Sequence, residues 1–145
     1  MENRTRLVLA VTLAVAVVGV VWYMDEPAAV SNNVQAMKGG ALVQVKLPSN
    51  LSATAKTGKN VFEEKCAACH GENAGGRNGL APPLVHKIYE PSHHGDMSFL
   101  LAAQNGVRAH HWPFGNMPPV AGVTRGDVVG IVSYIRELQR ENGIN

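Results

Sequence analysis

Gly58-Lys59-Asn60-Val61-Phe62-Glu63-Glu64-Lys65-Cys66-Ala67-Ala68-Cys69-His70 is the stretch that decides the fold. Its first part reads as a helix that Ser52 or Thr54 caps, running through Gly58, Val61 and Phe62. Its last part sets two cysteines three positions apart with a histidine directly after the second. The chain of 145 residues has only these 2 cysteines, so a disulfide framework is excluded.

Three chemistries use a Cys-x-x-Cys pair. A redox dithiol expects a preceding strand and a βαβ context, and neither is visible here. A zinc site expects a second Cys pair or histidines at finger spacing, which are absent. The adjoining His70 points instead to covalent c-type haem attachment. On a short helical turn both thiols can add to haem vinyl groups while the neighbouring imidazole faces the iron. Cys66 and Cys69 are thus read as the attachment points of one haem c, and His70 as one axial ligand. The haem also supplies a core that so short a domain otherwise lacks.

Working toward the C-terminus, Gly71 to Gly95 is rich in Gly, Pro and His and reads as loop. Asp96 to Gly106 reads as a helix with Met97, Leu100, Leu101 and Val107 apolar and Gly106 as its stop. Thr124, with Asp127 three residues on, opens the last helix. There Val128, Ile131, Val132, Ile135 and Leu138 form an apolar stripe, with Arg136, Glu137, Gln139 and Arg140 largely off it. Asn142-Gly143 closes it. Nothing suggests paired strands. An all-α domain over 51–145 is expected, with loops so large that they need an internal object to pack around.

Working toward the N-terminus, residues 25–50 read as a flexible linker with a short extended piece at Ala41 to Leu47. Before it, Leu7 to Met24 is an apolar run just long enough to cross a bilayer core of about 20 residues. Arg4 and Arg6 precede the run, and Asp25 and Glu26 follow it. This asymmetry puts the N-terminus in the cytoplasm and the rest outside. Residues 1–24 are therefore expected to be a membrane helix, with a cleaved signal peptide as the competing reading. The bulky Trp22-Tyr23-Met24, where cleavage needs small residues, favours the anchor.

The formal charge is +2. From Leu51 onward nine Lys/Arg face eight Asp/Glu, so charge gives no case for nucleic-acid binding, which needs a concentrated basic face, and any steering of partners is expected from local patches. For the sixth position of the iron the residues leave Met97, Met117, His86, His93, His94, His110 and His111 open. Met97 sits on a helix, where methionine is more often packing. Met117 lies in Gly115-Asn116-Met117-Pro118-Pro119, a loop that glycine and two prolines hold extended.

The quoted segment resembles the N-terminal helix and haem site of class I c-type cytochromes, and the likeness runs from about Leu51 to the C-terminus. It implies helices packed around one covalent haem. It also implies that Gly58 and Phe62 of the first helix meet Ile131 and Tyr134 of the last, and that the Pro82 carbonyl accepts the Nδ1 proton of His70. By the same resemblance Met117 is the second axial ligand. The paired His93-His94 and His110-His111 are not a general feature of that family. They are expected to be polar loop residues or donors to haem propionates, together with Arg108 and Trp112, with a second metal as the lesser alternative.

A His/Met-ligated iron is closed to oxygen and peroxide, which implies an electron carrier and not an enzyme. The expected setting is the periplasmic face of a bacterial inner membrane, with membrane or periplasmic redox proteins as partners in a respiratory chain. A fixed cytochrome c subunit of a dehydrogenase or oxidase is the alternative.

Overall fold

A computed structural model describes residues 38–145. The expected membrane helix and the linker's first half lie outside the described residues. Among these residues no helix is long and apolar enough to cross a membrane.

Four helices make the domain: α1 (Ala53–Lys65), the single turn α2 (Ala67–His70), α3 (Asp96–Asn105) and α4 (Arg125–Glu141). Short 3-10 turns at Glu72–Ala74 and Lys87–Tyr89 interrupt the connection between α2 and α3. The described residues form no strand, only isolated bridges pairing Arg77 with Ala81 and Val107 with Met117. The fold is all-helical, as the patterning predicts.

Of the two predicted caps for α1, Ser52 is the one used: its hydroxyl accepts the Ala55 N–H at 3.2 Å. That hydroxyl also donates to Glu137 Oε1 of α4 at 2.7 Å, so the cap joins two helices. Thr124 and Asp127 form the predicted reciprocal capping box on α4. Each satisfies a backbone N–H that the first helical turn leaves without a partner.

Helices α1 and α4 carry the core. Phe62 and Tyr134 sit 5.7 Å apart at the ring centroids, inside a buried cluster with Ala55, Ala74, Val85, Ile131, Ile135 and Leu138. A smaller cluster of Leu100, Val128 and Val132 fastens α3 to α4. The closest approach is between glycines. A Cβ on Gly58 would meet the Gly130 carbonyl oxygen at 1.9 Å and the Ile131 nitrogen at 2.6 Å.

The polar face assigned to α4 needs correction. Arg136 is 7% exposed and Gln139 fully buried. Arg136 donates to the carbonyls of Tyr89 and His94 at 2.6 and 2.5 Å, to Gln139 Oε1 at 2.7 Å and to Asp96 Oδ1 at 2.9 Å. Gln139 donates to the carbonyls of Leu84 and Tyr89. Two side chains of α4 thus reach the carbonyls of Leu84, Tyr89 and His94 in the long connection before α3. Helical periodicity marks apolar faces and is blind to this use of a polar residue.

The segment read as a linker also differs in its second half. Gly39 donates to the Asn78 carbonyl, Leu42 and Val43 to that of Gly75, and Lys46 to Asn142 Oδ1, while Asn142 Nδ2 returns a bond to the Lys46 carbonyl. Val45 packs on the core. Residues 39–46 are a strap laid along the domain, held by single groups at Gly75, Asn78 and the Asn142 cap of α4 and not by a neighbouring strand.

Candidate haem site

Where α1 ends, Cys66 leaves helical geometry at φ −121° and α2 turns once before Gly71 stops it at φ +74°. This turn presents Cys66, Cys69 and His70 to one cavity of about 640 Å³, a volume in the range of cofactor sites at roughly 300–1,000 Å³. The lining is mainly apolar, with Phe62, Leu84, Phe99, Val128, Ile131 and Ile135 on its inner side. Leu80 and Leu101, among the most exposed large hydrophobics, stand on its walls at 45% and 49% exposure. Those apolar faces fit a flat macrocycle that would cover them.

His70 is buried, and its Nδ1–H donates to the Pro82 carbonyl at 2.9 Å. Burial lowers its pKa, opposed by the Pro82 bond. The imidazole is therefore held neutral with the proton on Nδ1, which leaves the Nε2 lone pair as a metal donor. A bond of this kind fixes ring orientation and raises ligand basicity.

Across the cavity lining, Met117 comes from the loop after α3. Its backbone pairs with Val107 in both directions at 2.9 Å. Gly106 makes the approach possible, because a Cβ there would lie 2.5 Å from the Met117 carbonyl oxygen. Asn116 Oδ1 accepts the Ala109 N–H and closes the rest of the loop. Met97 is 53% exposed and away from the cavity. It is neither the packing residue that its helical position predicts nor near the site.

The cysteines do not suit disulfide redox chemistry. Burial pushes the Cys66 thiol up to about 11, with Cys69 adding to the effect. Reactive dithiols need a lowered pKa, since the thiolate is the nucleophile.

Two aromatic donors border the cavity. Burial pushes the Tyr89 phenol above its usual range, and the nearby Trp112 N–H opposes that. The Trp112 N–H is buried but reaches hydrogen-bond geometry with no described residue. A buried donor without an acceptor is costly, and a haem propionate is an acceptor of the right kind. Arg108, named with Trp112 from the sequence, does not line the cavity.

Residues 55–139 match the family model for Cytochrome c. The chain belongs to the cytochrome c family. It is a class I c-type cytochrome that carries a covalently bound haem c and transfers electrons. The cytochrome is also 54% identical over 39 residues to a protein described as "Cbb3-type cytochrome c oxidase subunit CcoP" from Azospirillum brasilense. That stretch covers 23% of this chain and 13% of that protein.

Sequence reasoning missed three residues that shape the site. Gly130 is the other half of the helix crossing, and its signal was a glycine inside a helix, where it costs about 1 kcal/mol relative to alanine. Arg136 holds the Tyr89 side of the cavity wall. Tyr89 itself carried no distinguishing pattern.

Proposed function

We propose that this cytochrome is a single-electron carrier whose haem is bonded through Cys66 and Cys69 and ligated by His70 and Met117. The carrying observation is that one cavity collects a His70 with its Nδ1 committed to Pro82 and a Met117 with its backbone locked to Val107. When bound, haem c supplies the one-electron couple between ferric and ferrous iron. The chain's own residues keep both axial side chains in place through that change, which keeps structural rearrangement on electron transfer small.

The test is optical. The ferric holoprotein is expected to show the weak red absorption band of methionine-ligated haem, and Met117→Ala to abolish it. The variant's midpoint potential is expected to fall by roughly 0.1 V or more, within the ≈ 0.8 V that axial ligands span. A wild-type spectrum without the band, or a band that survives in the variant, overturns the assignment.

The setting follows from the sequence N-terminal to the domain. Residues 7–24 anchor the chain in a bacterial inner membrane, with the N-terminus cytoplasmic and the haem domain periplasmic, where membrane-bound or periplasmic redox proteins exchange electrons with it. Mass spectrometry of membrane-purified protein is expected to find residues 1–24 retained.

A second reading, as a fixed subunit of an oxidase, draws on the relative described as an oxidase subunit. It differs in a measurable way. A shuttle is expected to separate from its partners on detergent purification, and a subunit to copurify at fixed stoichiometry.

A further inference from the structure

The loop before α3 and the loop before Met117 each carry adjacent histidines, 17 positions apart in sequence, and the fold brings the two pairs together. The His93 and His111 ring centroids lie 5.4 Å apart, His94 and His111 5.2 Å, and His110 and His111 4.2 Å. One ring nitrogen from each of His93, His94 and His111 falls within 4.8 Å of the other two.

Both loops are anchored independently of any ion. Arg136 donates to the His94 carbonyl from below, and His93 and His94 both donate their N–H groups to the Glu90 carbonyl. The Val107 and Met117 pair and the Asn116 bond to Ala109 close the other loop beneath His110 and His111. The cluster is therefore a property of the folded backbone.

The protonation pattern suits metal binding. His94 Nδ1 donates to the Ile88 carbonyl at 2.6 Å, which fixes its tautomer and leaves Nε2 as a lone-pair donor. This is the support that metal-binding imidazoles ordinarily have. His110 Nδ1 is likewise committed to the Arg108 carbonyl. None of the four is paired with a carboxylate in the described ion pairs. Four imidazoles this close, with no carboxylate paired to them among the described residues, repel one another when protonated. The arrangement makes sense when they are neutral and share a cation.

We propose that His93, His94 and His111 form a second metal site, separate from the haem iron, for a divalent late first-row cation, with copper(II) bound most tightly. A purely imidazole donor set is wrong for calcium or magnesium, which take oxygen ligands. It also lacks the thiolates that select softer ions. Nitrogen donors follow the rising order that peaks at copper(II), with zinc(II) below it. Three nitrogens at about 2.0–2.1 Å from a metal stand about 3.3 Å from one another. Closing from 4.8 Å falls to His93 and His111, which are exposed and whose rings, among the described residues, make ring contacts with the other histidines but no hydrogen bond. His110 stands beside them, and His94, His110 and His111 also border the haem cavity.

The untagged, haem-loaded full chain, stripped with chelator, is titrated with copper(II) sulfate and followed by electron paramagnetic resonance. One copper(II) per chain is expected, with nitrogen hyperfine structure, and zinc(II) chloride is expected to displace it only in excess. His93→Ala and His111→Ala are each expected to weaken binding more than about tenfold, beyond the roughly 10–100-fold that loss of an outer partner alone costs when both are combined. His93→Gln and His111→Gln, which keep a polar side chain, are expected to lose binding equally. Thermal melting of the metal-free variants verifies that they fold. Failure of the wild-type chain to bind a stoichiometric ion, or unchanged binding in the His93→Ala/His111→Ala double variant, overturns the proposal. Neither result depends on the identity of the haem's axial ligands.

Discussion

Gly58 and Gly130 touch backbone to backbone: a Cβ on Gly58 would stand 1.9 Å from the Gly130 carbonyl oxygen, whereas one on Gly130 would stand 3.2 Å from the Gly58 Cα. The contact is asymmetric, and so are its consequences. Gly58→Ala has to separate α1 from α4 and is expected to cost about 3 kcal/mol or more, at the upper end of overpacking effects. Gly130→Ala has only a few tenths of an ångström to find and gains about 1 kcal/mol of helix propensity. Its net effect is expected to stay within about 1 kcal/mol. Guanidinium unfolding of the two holoproteins measures both.

Arg136 and Asp96 form an ion pair of unequal members, the carboxylate 71% exposed and the guanidinium side chain 9% exposed. Asp96→Asn is expected to change stability by less than about 1 kcal/mol, as for other solvent-screened pairs. Arg136→Ala removes the donor to the His94 carbonyl and to Gln139 Oε1, leaves the Tyr89 carbonyl with its Gln139 bond alone, and is expected to cost about 3 kcal/mol. Thermal melts of the two variants, side by side, would show the reverse order if the ion pair mattered more than the carbonyls.

Tyr134 gives the domain an alkaline limit. Burial, with the negative charge of Glu63 adding, pushes its folded-state pKa up to about 12. An unfolded tyrosine ionises near 10. Between those values the unfolded chain has released a proton that the folded chain keeps, so stability falls as pH rises. The contribution is fully present below about pH 10 and lost through about pH 12, amounting to roughly 2–3 kcal/mol. Tyr134→Phe is expected to flatten this decline, at a cost of about 1 kcal/mol near neutral pH from the lost bond to Asn73. Denaturant unfolding at several alkaline pH values follows the slope.

Asn142 holds the strap by two bonds to Lys46. Asn142→Ala is expected to destabilise the domain by about 1 kcal/mol and to speed tryptic cleavage after Lys46 well beyond that of the wild type. Equal cleavage rates would show that the strap is held elsewhere.

What was legible in the sequence was what repeats or carries a signature. The α4 stripe, the Thr124 and Asp127 capping box, and the Cys66-Ala-Ala-Cys69-His70 run each express a rule local enough to read along the chain. The contact of His70 with Pro82 needed the family resemblance, because the eleven residues between them are loop and one 3-10 turn, and no periodicity relates the two. Arg136, Gln139 and the meeting of the two histidine pairs were not legible. Each depends on which loop a helix face meets, and that is settled only when the chain closes on itself. The strap was hidden for a related reason: its partners, Gly75, Asn78 and Asn142, are scattered single groups.

The strap also sets where mechanical load enters the molecule. A pull on the chain upstream of residue 38 falls first on the bonds from Gly39, Leu42 and Val43 and on the Lys46 and Asn142 clasp. Those bonds act as a strain relief. The helix that leads to the cysteines begins only at Ala53, so force reaches the Cys66–His70 turn after the strap has peeled away.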